Sequence, residues 1–523
     1  MKEKKLIIIC RKKKFQINEN DVSYINIGDG LVHAEKSNQI FLKTYRNFYY
    51  EKFKSILVNN LKKKIILSKK KLPFISELEL FNLRNDKDNN FDLILNILII
   101  REIIKKKKFN NIKVITDNSL VKKIFQTNFP KISVLYEGTN LNKPKLILLK
   151  IIKFYIKTFV IISFIKLFNK NNSNYKKSNE AALSIYPIFF KEKKEIFFND
   201  SKKIKFNFLL SDETHLNHNT IDVIKVINKT SSTELVHIEK FISYKMLLKA
   251  LLKSISFYTN SYTVDMNFDL DNLDLNNFYK NYFYSSLINR CKLNIYEDAF
   301  IVGLKKNNIK KFSLYLFEYN FGFFLINLIK SKANFIKVEG YQHGIFSNQL
   351  LWLDIIYKIR DNLNYLPHII KAFHLASLND YKSKIKSKKI KFYLLKKKKS
   401  QLSLDYKNSK KKTYSNKILV LPGTHDAKKI YDEINNKNID NKSNVIFYIK
   451  FHPKKVIYAK DAEKLKVIKT IKNKMFSDVL ISSTSTLVYD FLNMKKRFMV
   501  YNFDNKQNLI SSNLKKKIRF YNF

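Results

Sequence analysis

Short apolar runs alternate with longer amphipathic segments along the first 145 residues. Residues 4–10 (KKLIIIC) have the length and composition of a buried strand, and residues 91–109 (FDLILNILIIREIIKKKKF) have those of a helix. Residues 113–125 (KVITDNSLVKKIF) predict a strand followed by a helix that is capped by Asp117 or Ser119. This alternation predicts a parallel α/β region over residues 1–145.

A second α/β region is predicted over residues 180–395. Five segments each place an apolar run, interpreted as a strand, ahead of polar turn residues: 203–212, 298–304, 311–320, 334–344 and 371–381. Polar residues 169–182 are expected to link this region to the preceding one. The Lys-rich, low-complexity stretch 382–412 indicates an interdomain linker, which we place at 396–413.

The last hundred residues carry the clearest pattern. Residues 417–434 predict a strand, a Gly turn and a helix, and residues 444–453 predict a strand that ends in His-Pro. Residues 477–494 predict a strand, a Ser/Thr turn and a helix, and residues 496–504 predict a closing strand. We expect a doubly wound domain over residues 414–523, with ligands at the carboxyl ends of its strands.

Residues 146–170 (LILLKIIKFYIKTFVIISFIKLFNK) allow three interpretations. The segment is long enough to cross a bilayer, but Lys150, Lys153, Lys157 and Lys166 interrupt it. The first three lysines share one helical face, which favours a helix lying in an anionic membrane interface. The alternatives are a core helix whose lysines face water and a helix that spans the membrane.

The formal charge of +55 on 523 residues suggests an anionic partner, either nucleic acid or a membrane surface. Only 8 of the 99 basic residues are Arg, which argues against specific nucleic-acid reading because bidentate contacts favour Arg. The competing explanation is that codon bias produces the Lys excess and that these lysines are spread over solvent-exposed faces. The 2 cysteines exclude a disulfide framework, and residues 1–20 do not have a signal-peptide pattern. We therefore expect a cytoplasmic protein, peripheral at the inner face of the cell membrane.

Hydroxyl side chains form the most distinctive motif. Five consecutive residues connect a predicted strand to a predicted helix: Ser482, Ser483, Thr484, Ser485 and Thr486. Free N–H groups at a helix start, together with hydroxyls, suit a phosphate. The alternative is a plain helix cap, which needs only one hydroxyl. Asp490 follows within the helix and is a candidate for a ribose hydroxyl or for stabilising the helix start.

Histidines at strand ends are the other candidates. Pro453 is expected to end its strand, so that His452 points into the cleft beside the hydroxyl run and contacts a donor phosphate. His343, followed by Gly344, is a candidate general base, and Glu318 either orients it or is the base itself. The alternatives are a buried His452 and a turn His343, each bonded to neighbouring backbone. Gly423, in the turn of segment 417–434, joins the predicted donor-binding set.

Two metal-ligand patterns are weak. Asp269 and Asp271 form a DxD, but acidic loops commonly produce one. Residues 212–218 hold Asp212, Glu213, His215 and His218 in a turn, where such spacing is usually incidental. The sequence contains no Walker loop, no GxGxxG and no GxSxG.

The segments VEGYQHG, KFHPKK and SDVLISSTSTLVYDFLNMKKRFMVYNFD together resemble the two-Rossmann (GT-B) transferases of bacterial surface polysaccharides. That group includes CDP-glycerol glycerophosphotransferases, polysialyltransferases and capsule Kdo transferases. Residues 311–381 also resemble surface-carbohydrate proteins of O-antigen clusters. The resemblance spans roughly residues 300–510.

This resemblance implies a GT-B-like pair of α/β domains with an additional N-terminal α/β region. It implies metal-independent transfer of a sugar or related group from a nucleotide-activated donor, with no other cofactor, to a glycan or lipid-linked acceptor. The alternatives are a non-catalytic basic protein that binds nucleic acid or a membrane surface, and an inactive transferase that acts as a scaffold.

Overall fold

The structure is a computed structural model, and the chain forms two compact units. Unit 1 comprises Met1–Val338 and Asp354–Leu366, and unit 2 comprises Glu339–Leu353 and Pro367–Phe523. The structure describes residues 5–28, 32–34, 36–70, 72, 75, 90–138, 145–168, 178–184, 203–210, 235–316, 321–342, 344, 353, 356, 364–395, 407–408, 417–423, 426–436, 445–451, 465–471, 475–483, 485–501 and 512–521.

The first sheet of unit 1 is parallel throughout, in the order β5-β3-β1-β6-β7. Residues Leu6–Cys10 of its central strand are all buried, as expected for a strand covered on both faces. The elements of this part are β1 (Lys5–Cys10), β2 (Phe15–Ile17), β3 (Val22–Asn26), β4 (Val32–Ala34), β5 (Asn38–Gln39), α1 (Lys43–Ser68), α2 (Asn90–Lys107), β6 (Asn111–Thr116), α3 (Ser119–Asn128) and β7 (Ser133–Tyr136).

Unit 1 also contains the strand run β10-β9-β8-β13 of a second sheet, and a group of helices. Helices α4, α5 and α6 pack around Tyr155, whose hydroxyl lies 3.0 Å from the Ala250 carbonyl oxygen and 2.9 Å from that of Cys291. The elements are α4 (Lys145–Phe168), β8 (Glu180–Ser184), β9 (Ile204–Asn207), β10 (Leu235–His237), α5 (Tyr244–Ser261), β11 (Asp269–Leu270), β12 (Leu273–Asp274), α6 (Asn276–Leu293), α7 (Glu297–Lys306), β13 (Lys311–Tyr315) and α8 (Phe321–Lys332).

Unit 2 contains the strand run β14-β15-β16 and a six-stranded sheet. The first two residues of β14 belong to unit 1. The elements are β14 (Lys337–Tyr341), β15 (Ile369–Ala372), α9 (Leu375–Lys384), β16 (Lys391–Leu394), β17 (Lys407–Asn408), β18 (Lys417–Leu421), α10 (Ala427–Asn436), β19 (Ile446–Ile449), β20 (Leu465–Val467), β21 (Met475–Phe476), β22 (Asp478–Ser482), α11 (Leu487–Asn493), β23 (Met499–Tyr501), α12 (Ser512–Lys515) and β24 (Arg519–Tyr521).

The six-stranded sheet is parallel, in the order β20-β19-β18-β22-β23-β24. If its strands are numbered along the chain, this order is 3-2-1-4-5-6, that of a doubly wound sheet. The chain builds outward from β18 in one direction and then reverses to β22 on the other side. The carboxyl ends of β18 and β22 are therefore the reversal point, where such sheets bind ligands.

The predicted α/β class with parallel sheets is confirmed, but several local predictions are wrong. Residues 298–304 lie in α7, not in a strand. A short apolar run fits either element, and here Glu297 and Asp298 in the first turn and Lys305 and Lys306 in the last suit the helix dipole. The cap of α3 is Asn118, whose side chain accepts from the N–H groups of Leu120 and Val121, not Asp117 or Ser119.

Two of the predicted linkers contain regular structure. Within residues 382–412, α9 continues to Lys384, and β16 and β17 follow. Glu180, in the predicted linker 169–182, begins β8. The high Lys content predicted a linker here, but β16 is largely exposed and can carry lysine at its solvent-facing positions. Of the narrower linker at 396–413, only residues 407–408 are described.

No helix within the described ranges has the length and apolarity needed to cross a bilayer. The spanning interpretation of residues 146–170 is thus not supported by α4. Ile151, Tyr155, Thr158 and Ile162 of this helix are buried, so one of its faces is a core face, as the core-helix alternative expected.

Candidate functional site

The predicted site residues divide by whether the structure describes them. Glu318, His343, His452, Pro453 and Thr484 lie outside the described residues, and their roles remain predictions. The described members all belong to unit 2: Gly423, Ser482, Ser483, Ser485, Thr486 and Asp490.

Asp426 connects the two strands at the reversal point. One of its carboxylate oxygens accepts from the Gly423 N–H (2.7 Å), and the other accepts from the Ser482 hydroxyl (2.5 Å). Gly423 follows β18, whereas Ser482 is the last residue of β22, and these strands are direct neighbours. We call Gly423, Asp426 and Ser482 the reversal cluster. It fixes the loop between β18 and α10 against the end of β22.

Tyr501 extends this cluster to a third strand. It pairs with Ser482 across β22 and β23, and its carbonyl oxygen accepts from the Ser483 N–H (3.0 Å). Burial raises the pKa of Tyr501 well above its ordinary value of 10, and the negative charge of Asp426 raises it further. The phenol is therefore neutral at physiological pH, and polar groups of three adjacent strand ends surround one carboxylate.

The hydroxyl run has divided roles. Ser482 is part of β22 and bonds Asp426, whereas Ser485 Oγ accepts from the Leu487 N–H (3.3 Å) and so caps the first turn of α11. The Ser485 N–H bonds back to the Ser482 carbonyl oxygen (3.0 Å). Thr486, at the start of α11, makes no side-chain cap bond and is half-buried. Ser482 and Ser485 thus bond within the fold, and phosphate binding by the hydroxyl run stays a prediction.

A second network joins the segment around His343 to α11. The side-chain nitrogen of Gln342, Nε2, lies 3.2 Å from the Tyr489 hydroxyl, 3.3 Å from Ser377 Oγ and 2.9 Å from the Gly344 carbonyl oxygen. Gln342 Oε1 accepts from the Phe373 N–H (2.9 Å), and Ser377 Oγ donates to the Tyr489 hydroxyl (2.7 Å). Gln342, Ser377 and Tyr489 are all buried.

This network brings together two of the motifs that the sequence analysis singled out. Gln342 directly precedes His343, and Tyr489 lies one helical turn after the hydroxyl run. His374 stacks on the Tyr489 ring, with centroids 6.0 Å apart, and Asn493 Nδ2 donates to the Phe373 carbonyl oxygen (3.3 Å). The position of α11 is therefore fixed by the loops that follow β14 and β15.

An ion pair connects β14 and β15, with Glu339 buried and Lys371 half-buried. Lys371 Nζ lies 2.8 Å from Glu339 Oε2 and 3.0 Å from the Tyr341 hydroxyl, and that hydroxyl donates to Glu339 (2.9 Å). Burial would lower the pKa of Lys371, but its hydrogen bonds to Glu339 and Tyr341 outweigh burial and raise it. The ammonium remains charged and balances the Glu339 carboxylate.

Two predicted features differ in detail from the structure. β19 ends at Ile449, whereas the predicted strand extends to residue 453. Lys450, which follows β19, donates to the Lys469 carbonyl oxygen (2.5 Å) and stabilises a neighbouring loop. Asp490 is only 4 % exposed within α11, so a ribose hydroxyl would have to reach a buried carboxylate.

Sequence reasoning missed Asp426, Gln342, Tyr489 and the Glu339–Lys371 pair. Asp426 carried a usable signal, because an Asp directly before a helix that follows a strand is a frequent capping and ligand position. Gln342 and Tyr489 are 147 residues apart, so only the tertiary fold reveals their contact.

The weak metal pattern at Asp269 and Asp271 lies in the β11–β12 hairpin. Asp271 there accepts from Arg101 (2.6 Å) and Lys52 (3.3 Å), so its carboxylate takes part in ion pairs with α1 and α2. Residues 212–218 lie outside the described ranges. Among the described residues, no three His, Cys, Asp or Glu side chains form a metal-ligand group.

Comparison with known proteins gives this chain no family. No protein-family model matches it. A search of curated proteins finds no significant match either.

Proposed function

We propose that this chain is a glycosyltransferase-like enzyme that moves a sugar or related group from a nucleotide-activated donor to a glycan or lipid-linked acceptor. The product would be a bacterial surface polysaccharide, such as O-antigen or capsule. The observation that carries the proposal is the reversal cluster, because polar groups converge at the point where doubly wound sheets bind nucleotides. The resemblance of residues 300–510 to GT-B transferases supports the same conclusion.

Within this proposal Asp426 is a positioning residue. Both of its oxygens are occupied by Gly423 and Ser482, so it fixes the crevice and leaves donor contact to other groups. The donor phosphates would be bound by His452 and by hydroxyls of the 482–486 run. The GT-B pairing of two α/β domains belongs to the proposal as well.

His343, with Glu318 as orienting group or alternative base, would take the proton from an acceptor hydroxyl. The acceptor oxygen then bonds to the transferred group. The bond from that group to the nucleotide's terminal phosphate breaks, and the phosphate leaves with the electron pair. The Gln342–Ser377–Tyr489 network supports this assignment, since it fixes the backbone on both sides of His343.

Binding of CMP-, UDP-, GDP- and CDP-linked compounds to the purified chain tests the proposal by calorimetry. Asp426→Asn should weaken binding of the preferred donor at least tenfold, and His452→Ala should weaken it as well. Asp478→Asn is the matched control, since Asp478 begins the same strand β22 at its opposite end and pairs with Arg497 (2.9 Å). The proposal fails if no nucleotide binds or if the control loses as much affinity as Asp426→Asn.

A further inference from the structure

Helix α4 has one buried face and one exposed apolar face. Leu149, Ile156, Val160 and Leu167 recur at intervals of 7, 4 and 7 residues and so form one row along the helix. The row is well exposed, with Ile156 at 62 % and Leu167 at 67 %. A soluble helix normally turns such a row inward, and here the inward face is already formed by other residues.

Helix α5 adds a second exposed apolar row. Tyr244, Leu248 and Leu252 lie four residues apart, and Leu248 and Leu252 are 58 % and 59 % exposed. The two helices are adjacent: the Phe159 and Tyr244 rings lie 5.3 Å apart, and the Tyr244 hydroxyl donates to Ser163 Oγ (3.1 Å). The rows therefore form one continuous apolar surface in unit 1, which we call the α4–α5 surface.

Lysines border this surface on both sides. At about 100° per residue, Lys150, Lys153 and Lys157 lie roughly 40–100° around α4 from its apolar row, on the flank opposite Phe159. Lys245 and Lys249 lie beside the α5 row, and Lys249 also pairs with Asp298 (2.7 Å). Lys166 lies over the Tyr244 ring at 3.9 Å, where the two helices meet. Neither helix contains an Asp or a Glu.

We infer that the α4–α5 surface docks unit 1 on an anionic lipid bilayer, with both helices parallel to the membrane plane. An apolar centre with lysines on both borders matches acyl chains beneath anionic headgroups. A second copy of the chain fits poorly, because each surface would present lysines and no helix carboxylate to pair with them. The inference stands independently of the proposed transferase activity.

Sedimentation of the full chain with phosphatidylcholine vesicles, with and without about one third phosphatidylglycerol, tests this inference. We expect binding to the anionic vesicles that weakens as salt increases. Ile156→Ser/Leu248→Ser and Lys150→Glu/Lys153→Glu should each weaken it more than tenfold. All four side chains are exposed, so circular dichroism should show an unchanged fold.

Matched controls separate this surface from the high charge of the whole chain. Lys106→Glu/Lys107→Glu makes the same charge change at the end of α2, and Phe335→Ser removes an apolar side chain that is 62 % exposed elsewhere in unit 1. Both controls should bind like the wild type. Equal losses in controls and test variants would overturn the inference, as would a dimer that the Ile156→Ser/Leu248→Ser variant dissociates without any lipid binding.

Discussion

The Ser482 hydroxyl donates a 2.5 Å hydrogen bond to Asp426, a residue 56 positions earlier in the chain. The bond joins the end of β22 to the start of α10 and so crosses the point where the sheet order reverses. Because the second carboxylate oxygen accepts from the Gly423 N–H, this one side chain connects the residues after β18 to the end of β22.

Ser482→Ala should destabilise unit 2 by about 1.5–3 kcal/mol, since it removes a hydrogen bond to a charged group. Urea unfolding measures this change. Ser477→Ala is the control on the same segment, because Ser477 Oγ donates to the neutral Lys417 carbonyl oxygen (2.9 Å) and its loss should cost about 1 kcal/mol. A smaller effect for Ser482→Ala than for Ser477→Ala would contradict the charged character of the Asp426 bond.

Tyr489→Phe and Gln342→Ala should be coupled. Gln342→Ala leaves the buried Phe373 N–H without its acceptor and should cost about 1–3 kcal/mol. Tyr489→Phe removes one hydroxyl and should cost about 1 kcal/mol. In a double-mutant cycle the pair should differ from additivity by at least about 0.5 kcal/mol, and strict additivity would show that the two side chains do not interact.

Lys371→Met should be more destabilising than the double variant Glu339→Gln/Lys371→Met. The single change leaves a carboxylate 4 % exposed without its cation, at a cost of about 3 kcal/mol, whereas the double change removes both charges. Thermal unfolding of the three proteins compares them. If the single and double variants melted alike, the buried charge of Glu339 would not be balanced by Lys371.

His237 should make unit 1 sensitive to acid. Burial, with a further contribution from the Lys240 charge, lowers the pKa of His237 from 6.5 to about 3. As the pH decreases, the unfolded chain therefore binds a proton at His237 before the folded chain does. The contribution of the neutral His237 to the free energy of unfolding is fully present above pH 6.5. It should fall by about 1.4 kcal/mol per pH unit as the pH decreases from 6.5 towards 3.

His237→Gln should reduce the number of protons taken up on unfolding by about one, so that the free energy of unfolding changes less with pH in urea titrations between pH 7 and 4. His33→Gln, at an exposed position on β4, is the comparison variant. A wild-type slope that survives His237→Gln would assign the acid sensitivity to other groups.

Sequence patterns identified individual strands more reliably than they identified which strands lie side by side. The strands β1, β18 and β22 are runs of β-branched and leucine residues between polar turns, and such runs are predictable from local composition. Residues 298–304 were wrongly assigned as a strand, since a short buried helix and a buried strand have the same apolar content. The charges that favour the helix are the acidic residues in its first turn and the lysines in its last turn.

The sequence predicted which residues of the candidate site follow a strand, but not which other residues they contact. The Ser482 position followed from the strand–turn–helix pattern, but its bond to Asp426 depends on β18 lying beside β22, which strand order alone determines. Likewise, the Gln342–Tyr489 contact requires the packing of α11 against the loops after β14 and β15. Local sequence contains no information on either neighbour.

The parallel pairing of β1 with β6 has a consequence for synthesis of the chain. The loops that follow them are joined by the Lys12 N–H and the Asp117 carboxylate, 105 residues apart. At translation rates of about 5–20 residues per second, roughly 5–20 s separate the synthesis of β1 from that of its partner β6, whereas its other partner β3 follows within a few seconds. During that interval β1 can pair with β3 on one side only, so the edge that β6 later covers stays open to pairing with other chains.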